Sequence, residues 1–124
     1  MANRTYLADA MQKYPYLTID GLAGDRRPDF EGRRMELVAA VDEFERAVAW
    51  LSVIPKRKSP NRDDGHSYGL KHAAEEWAGA YITNGALIAA AVHLGFPIAP
   101  CPSAINCWIG IASMRKWPPR GDRI

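Results

Sequence analysis

Ser67, Tyr68, Lys71, His72, Glu75 and Glu76 crowd one short stretch of this 124-residue chain, and they bring a hydroxyl, an ammonium, an imidazole and two carboxylates together. His72 and Glu76 stand four apart and would share one face of a helix. With His93 on the following segment and Cys101 and Cys107 beyond it, they offer the nitrogen, oxygen and sulfur donors that a transition metal takes, the basis for a metal-dependent enzyme using His72, Glu76 and His93. The spacing argues against that chemistry. No Cys-x2-Cys or His-x3-His pair is present, and His93 lies in an alanine-rich segment where core hydrogen bonds usually hold a histidine. Ser67 and His72 do not form a nucleophile and base either, since five residues along a helix turn them to different faces and no orienting acid accompanies them. Ser67 is better read as a helix N-cap. Gly21, Gly24 and Gly32 lack the Lys-Ser or helix pattern of a phosphate-cradling loop. The expectation is a protein with no catalytic residues and no cofactor.

The elements that position this cluster read as mainly α, in an α+β single domain of four to five helices. A first helix over residues 1–15 carries Tyr6, Leu7, Ala10, Met11 and Tyr14 on one face, with Asn3 as its cap and Pro15 as its stop. Residues 18–32, rich in glycine and aspartate, read as a loop crossing the surface. Leu37, Val41, Phe44, Val48 and Leu51 step by four and three and predict a single helix over residues 33–54. Residues 55–65 follow as a polar, solvated loop. A helix hairpin over residues 67–96 comes next: Leu70, Ala73, Ala74, Trp77 and Tyr81 form the buried stripe of its first helix, with Lys71, Glu75 and Glu76 toward water. Its second helix, capped by Thr83 or Asn84 and stopped by Gly95, bears so many alanines that it belongs at the centre of the core. After a proline-rich connector, residues 103–113 read as a strand, because Ile105 to Ile111 alternate and Gly110 disfavours a helix. Such a strand pairs either with Tyr16 to Ile19, giving a short two-stranded element, or across a homodimer.

Composition narrows the function classes. Sixteen Lys and Arg against fourteen Asp and Glu leave a formal charge of +2, too small to mark a nucleic-acid binder, and 48% hydrophobic content suits one packed core. The longest apolar run falls well short of a bilayer span, and no signal-peptide core opens the chain, so no membrane partner and a cytoplasmic location are expected. The two cysteines are then expected as reduced thiols. The helix hairpin has the length of a helix-turn-helix, which raises a DNA-binding regulator as the alternative. Its second helix offers only His93 to a base edge, so Arg57, Arg62 and their neighbours would at most touch phosphates non-specifically. Trp50 and Trp77 fall on or near helix stripes and are expected in the core. Trp108 and Trp117 are the interface candidates, the latter in a cationic tail over residues 115–124.

Ser67-Tyr68, Leu70-Lys71-His72, Tyr81-Ile82-Thr83-Asn84-Gly85, Ile88-Ala89-Ala90 and Gly95-Phe96 together resemble a family of small proteins carried by proteobacterial phages, plasmids and other mobile elements. The resemblance implies a bacterial-host setting and either an anti-defence role, including that of anti-CRISPR proteins, which bind a host effector such as a CRISPR–Cas component stoichiometrically, or regulation of the element's own genes. It brings no catalytic residues with it. Duplex mimics of that setting are strongly acidic, and this chain departs from them, so contact with a protein surface is the expected mode. The residues expected to make it are Arg57, Arg62, Tyr68, Lys71, His72, Glu75, Glu76 and Trp117.

Overall fold

An alanine-rich helix can sit at the centre of a small protein because its thin side chains let neighbouring backbones approach from every side. The computed structural model, which describes residues 2–22, 28–102 and 105–113, places helix Asn84–Leu94 in that position, with every residue from Asn84 to Ala91 buried. The described residues form five helices, α1 (Ala2–Lys13), α2 (Phe30–Ala39), α3 (Val41–Leu51), α4 (Ser67–Ala78) and α5 (Asn84–Leu94), then strands β1 (Ile98–Pro100) and β2 (Cys107–Ile109). Helices α1, α3 and α4 all pack on α5. None of the five is long and apolar enough to cross a membrane.

A helix buried all round must have its end groups satisfied by protein. The Thr83 hydroxyl accepts from the Ala86 N–H at 3.3 Å, and the Gly85 N–H donates to the Ile19 carbonyl at 3.0 Å. At the other end Gly95 adopts φ 85° and donates to Val92 O, while the Phe96 N–H returns to Ala91 O and its ring is buried, the arrangement expected of a left-handed glycine stop. Gly85 is the most closely approached of the described glycines. A Cβ there would stand 1.9 Å from the Thr18 carbonyl oxygen.

The single helix expected over residues 33–54 is two helices. It begins at Phe30 and breaks at Ala40, which has φ −89° and ψ 42° and donates to Leu37 O. Neither Ala39 nor Ala40 disfavours helix, so tertiary contacts make the break. On α2, Arg34 donates to the carbonyls of Met11, Tyr14, Pro15 and Leu17, closing the C-terminal end of α1, and Arg33 grips Asp20 through Nε and Nη2 at 2.9 and 2.6 Å. The expected stripe survives across the break, with Leu37, Phe44 and Leu51 fully buried and Val41 and Val48 half-buried. Residues 18–22 likewise do not cross the surface. Thr18, Ile19 and Leu22 are buried beneath the start of α5.

Strand β2 pairs antiparallel with β1 in the register Ile98↔Ile109, Ala99↔Trp108 and Pro100↔Cys107. Of the strand expected over residues 103–113, Cys107–Ile109 is strand, and its partner is the proline-rich connector rather than Tyr16 to Ile19. Prolines already hold that connector extended, and a partner nearby in sequence closes the smaller loop. Thr18 folds back on Gly21 instead, and the Leu22 N–H reaches this region at Ile105 O.

On its other side β2 is lined by residues 55–66, a polar loop with exposed side chains at 56–59, 62 and 63 as expected, whose backbone is bonded to the strand region. Arg57 N donates to Gly110 O, Asn61 N to Ile109 O, Ile109 N to Gly65 O and Ala112 N to Pro55 O. Buried Asn61 completes the attachment: its Nδ2 donates to Ile111 O at 2.9 Å and its Oδ1 accepts from the Asp63 and Asp64 amides.

Two alanine substitutions should separate the core glycine from a surface one. Gly85→Ala forces a methyl into Thr18 O and should destabilise by about 1–3 kcal/mol or more. Gly69→Ala adds a methyl where nothing lies within 4 Å, and should stabilise by roughly 0.5–1 kcal/mol through helix propensity. Urea unfolding midpoints of the two variants against wild type check both signs.

Candidate functional site

Lys71 was expected in water; its side chain is 8% exposed. It lies on α4 one turn before Glu75, and its Nζ donates to Glu75 Oε2 at 2.9 Å. The same ammonium lies 4.7 Å from the centre of the Tyr81 ring and 5.6 Å from that of Tyr68, within cation–π range of both. The rings themselves stay outward, Tyr68 50% and Tyr81 63% exposed. A buried cation thus holds two displayed aromatics.

Tyr81 was expected in the buried stripe of the helix. Helix α4 stops at Ala78 because Gly79 takes φ 69° and donates to Glu75 O, and the chain then turns so that Tyr81 joins the surface cluster. Leu70 and Ala74 are buried as expected, while Ala73 and Trp77 are half-buried. Three side-chain bonds tie the backbone of the turn over residues 79–83. Ile82 N donates to Glu75 Oε2 at 3.0 Å, Thr83 N to Glu43 Oε1 at 2.7 Å, and Arg46 Nη2 donates to Tyr81 O at 3.0 Å. Two carboxylates and a guanidinium from α3 and α4 therefore position Tyr81.

Glu75 is the hub. Besides Lys71 and Ile82 it meets His72, whose Nδ1 lies 3.2 Å from Glu75 Oε1 and whose ring stands edge-on to Tyr68 at 4.7 Å. Burial pushes the Glu75 carboxyl up, the largest single influence. The Ile82 N–H, the hydrogen bond and charge of Lys71, and His72 together outweigh it, so the net shift is below the ordinary value of 4.5.

Of the residues expected to make contact, Tyr68, Lys71, His72 and Glu75 come together, with Glu76 exposed on the same helix and Tyr81 added. Arg57 and Arg62 lie exposed on the 55–66 ribbon, where the Arg57 guanidinium donates to Ser59 O and Pro60 O. Trp117 and its cationic tail lie outside the described residues. Ser67 is not the N-cap; His66 occupies that position without a side-chain bond. The Ser67 hydroxyl is buried and accepts from Cys107 N at 3.1 Å, with Asn106 Oδ1 at 3.4 Å, so it fastens α4 to β2. Asn106 Oδ1 also accepts from Asn84 Nδ2, joining the start of α5 to the same junction.

The metal set is not assembled. His72 faces Glu75 and Tyr68, whereas His93 stacks on Tyr6 at 4.2 Å and lies 5.8 Å from Phe44, held by rings rather than by the core hydrogen bonds expected of it. Among the described residues no three His, Cys, Asp or Glu side chains are grouped to hold a metal ion. Nor can α5 enter a DNA groove as a recognition helix, with Asn84 to Ala91 buried. Trp50 is in the core, and Trp108, expected at an interface, is half-buried against His66 at 5.2 Å. The chain matches no protein-family model, no curated protein and no solved structure.

The two cysteines are free and differ in access. Burial pushes the Cys107 thiol up to about 12, with Cys101 adding to the rise and the Ser67 hydrogen bond opposing it; Cys101 is half-buried and raised less. Iodoacetamide at pH 8 should therefore label Cys101 in the folded protein and Cys107 only after denaturation, as intact mass and peptide mapping will show.

Glu75 sets a pH dependence of defined sign. Its folded pKa is depressed, so its contribution to stability is fully present above the ordinary value of 4.5 and is lost as pH falls through the folded value. Wild type should exceed Glu75→Gln in thermal midpoint at pH 7, and the gap should shrink steadily below pH 4.5.

Proposed function

We propose that this is a non-catalytic binding protein whose contact face is the exposed side of α4 and the turn after it. In the phage and mobile-element setting implied by the resemblance, it inhibits a host defence complex, such as a CRISPR–Cas effector, by protein–protein contact. The observation that carries this reading is the Tyr68–Lys71–Tyr81 arrangement, in which two half-exposed rings share one buried ammonium. Free tyrosines on a surface lose rotamer freedom on binding. These two are already held, Tyr68 additionally by the His72 ring and Tyr81 through its backbone carbonyl on Arg46. Aromatic side chains fixed before association are what protein interfaces use as anchors, since the ordering cost is met in the free protein. His72 and Glu76 border the rings with polar groups suited to an interface rim.

Lys71 supports the contact indirectly, by holding the rings, so a charge reversal there would disturb the site itself. The cleaner test removes the rings. Tyr68→Ala and Tyr81→Ala should leave the thermal midpoint within a few degrees and weaken capture of a host effector from nuclease-treated bacterial lysate, each by about 2 kcal/mol or roughly 30-fold. Quantitative mass spectrometry of wild-type and variant captures reads this. Retention of the same effector by both variants would exclude this face.

A further inference from the structure

Arg57 and Arg62, expected to act together with the polar face of α4, stand on the segment that precedes it. Lys56, Arg57, Lys58 and Arg62 are all exposed on the ribbon over residues 55–66, and among the described residues none of them forms an ion pair with a carboxylate. The described ion pairs involve Arg33, Lys71 and His72 instead. The ribbon is not a pliable loop. Its backbone is bonded along β2 and the following residues, and Asn61 is locked inside it by three side-chain hydrogen bonds. Four cations are thus displayed from a fixed support.

The local setting of these cations and the residues between them narrow the partner. Lys56 lies 5.4 Å from the centre of the Phe96 ring, and Arg57 donates from Nε to Ser59 O and from Nη2 to Pro60 O, which fixes its side chain and leaves Nη1 and the second Nη2 hydrogen to meet an anion. Two ammonium groups and two guanidiniums are thus exposed within seven residues, donors that phosphate oxygens accept. Residues 56–62 contain no aromatic side chain, so the ribbon has neither the anchor of a protein hot spot nor a platform for unpaired bases. We propose that this ribbon binds the phosphate backbone of duplex nucleic acid, independently of base sequence. The reading does not depend on the α4 contact face. Asp63, exposed in the same turn, opposes the binding and limits its strength.

Fluorescence anisotropy with two labelled duplex DNAs of unrelated sequence tests it across a salt series. Equal affinity for the two is expected, and with phosphate contacts from up to four cations log Kobs should fall with log salt with a slope of about −3 to −4, roughly 100-fold between 50 and 200 mM. Lys58→Gln and Arg62→Gln should each lower the slope by about 1. Asp63→Asn should tighten binding. Thermal midpoints control for folding, and since both cations are exposed the variants should melt with wild type. Absence of wild-type binding at 50 mM salt, an unchanged slope in both folded variants, or equal competition by poly-glutamate or phosphatidylserine vesicles at matched charge would overturn the proposal.

Discussion

Complete burial of α5 is the constraint around which the rest of the molecule is arranged. A helix with Asn84 to Ala91 inside the protein cannot leave its end groups to water. Thr83 answers at one end and Gly95 with Phe96 at the other, while Ile19 takes the Gly85 amide. That last bond brings the segment around Thr18 to the N-terminal end of α5 and requires a residue with no side chain at position 85. Asp20 in turn receives Arg33, and Arg34 beside it closes α1. A break at Ala40 that local propensity does not favour is thus tied to α5 through a short chain of contacts.

The same helix determines where the candidate contact face lies. Residues 79–83 must deliver the chain from α4 into a buried helix start, so their amides need partners before they reach the core. Glu75 and Glu43 provide them for Ile82 and Thr83. Lys71 offsets the Glu75 charge, and Tyr68 and Tyr81 cover Lys71 while remaining half-exposed. A structural need, fastening a turn, therefore leaves a rigid aromatic pair on the surface. A second surface arises separately on the far side of β2, where main-chain bonds fix the cationic ribbon.

Much of the fold was legible in residue patterns. Leu37, Phe44 and Leu51 lie on the core side as their spacing requires, the alanine content of α5 foretold its central place, and Gly95-Phe96 ends it as read. Contacts between distant segments were not legible. The Arg34 side chain of α2 meets four carbonyls at and beyond the end of α1, and buried Asn61 joins residues 55–66 to Ile111, where a polar loop residue gave no such indication. Lys71 at a helical position three before Ala74 looked solvated because its counter-charge and both rings are assembled only in three dimensions. Gly79 was the missed signal: taken as a helix stop, it places Tyr81 outside the stripe and beside Lys71.

The central claim is that the turn bearing Tyr81 is fixed in the free protein by Glu75 and Glu43. Amide hydrogen exchange at Ile82 and Thr83, measured by NMR at neutral pH, tests it most directly. Protection at both amides comparable to that of Leu87 and Ile88 in α5 is the predicted result, because turn and buried helix open together. Exchange at both near the unprotected rate, with α5 still protected, would show that the carboxylates do not hold the turn and that the aromatic pair is not pre-formed.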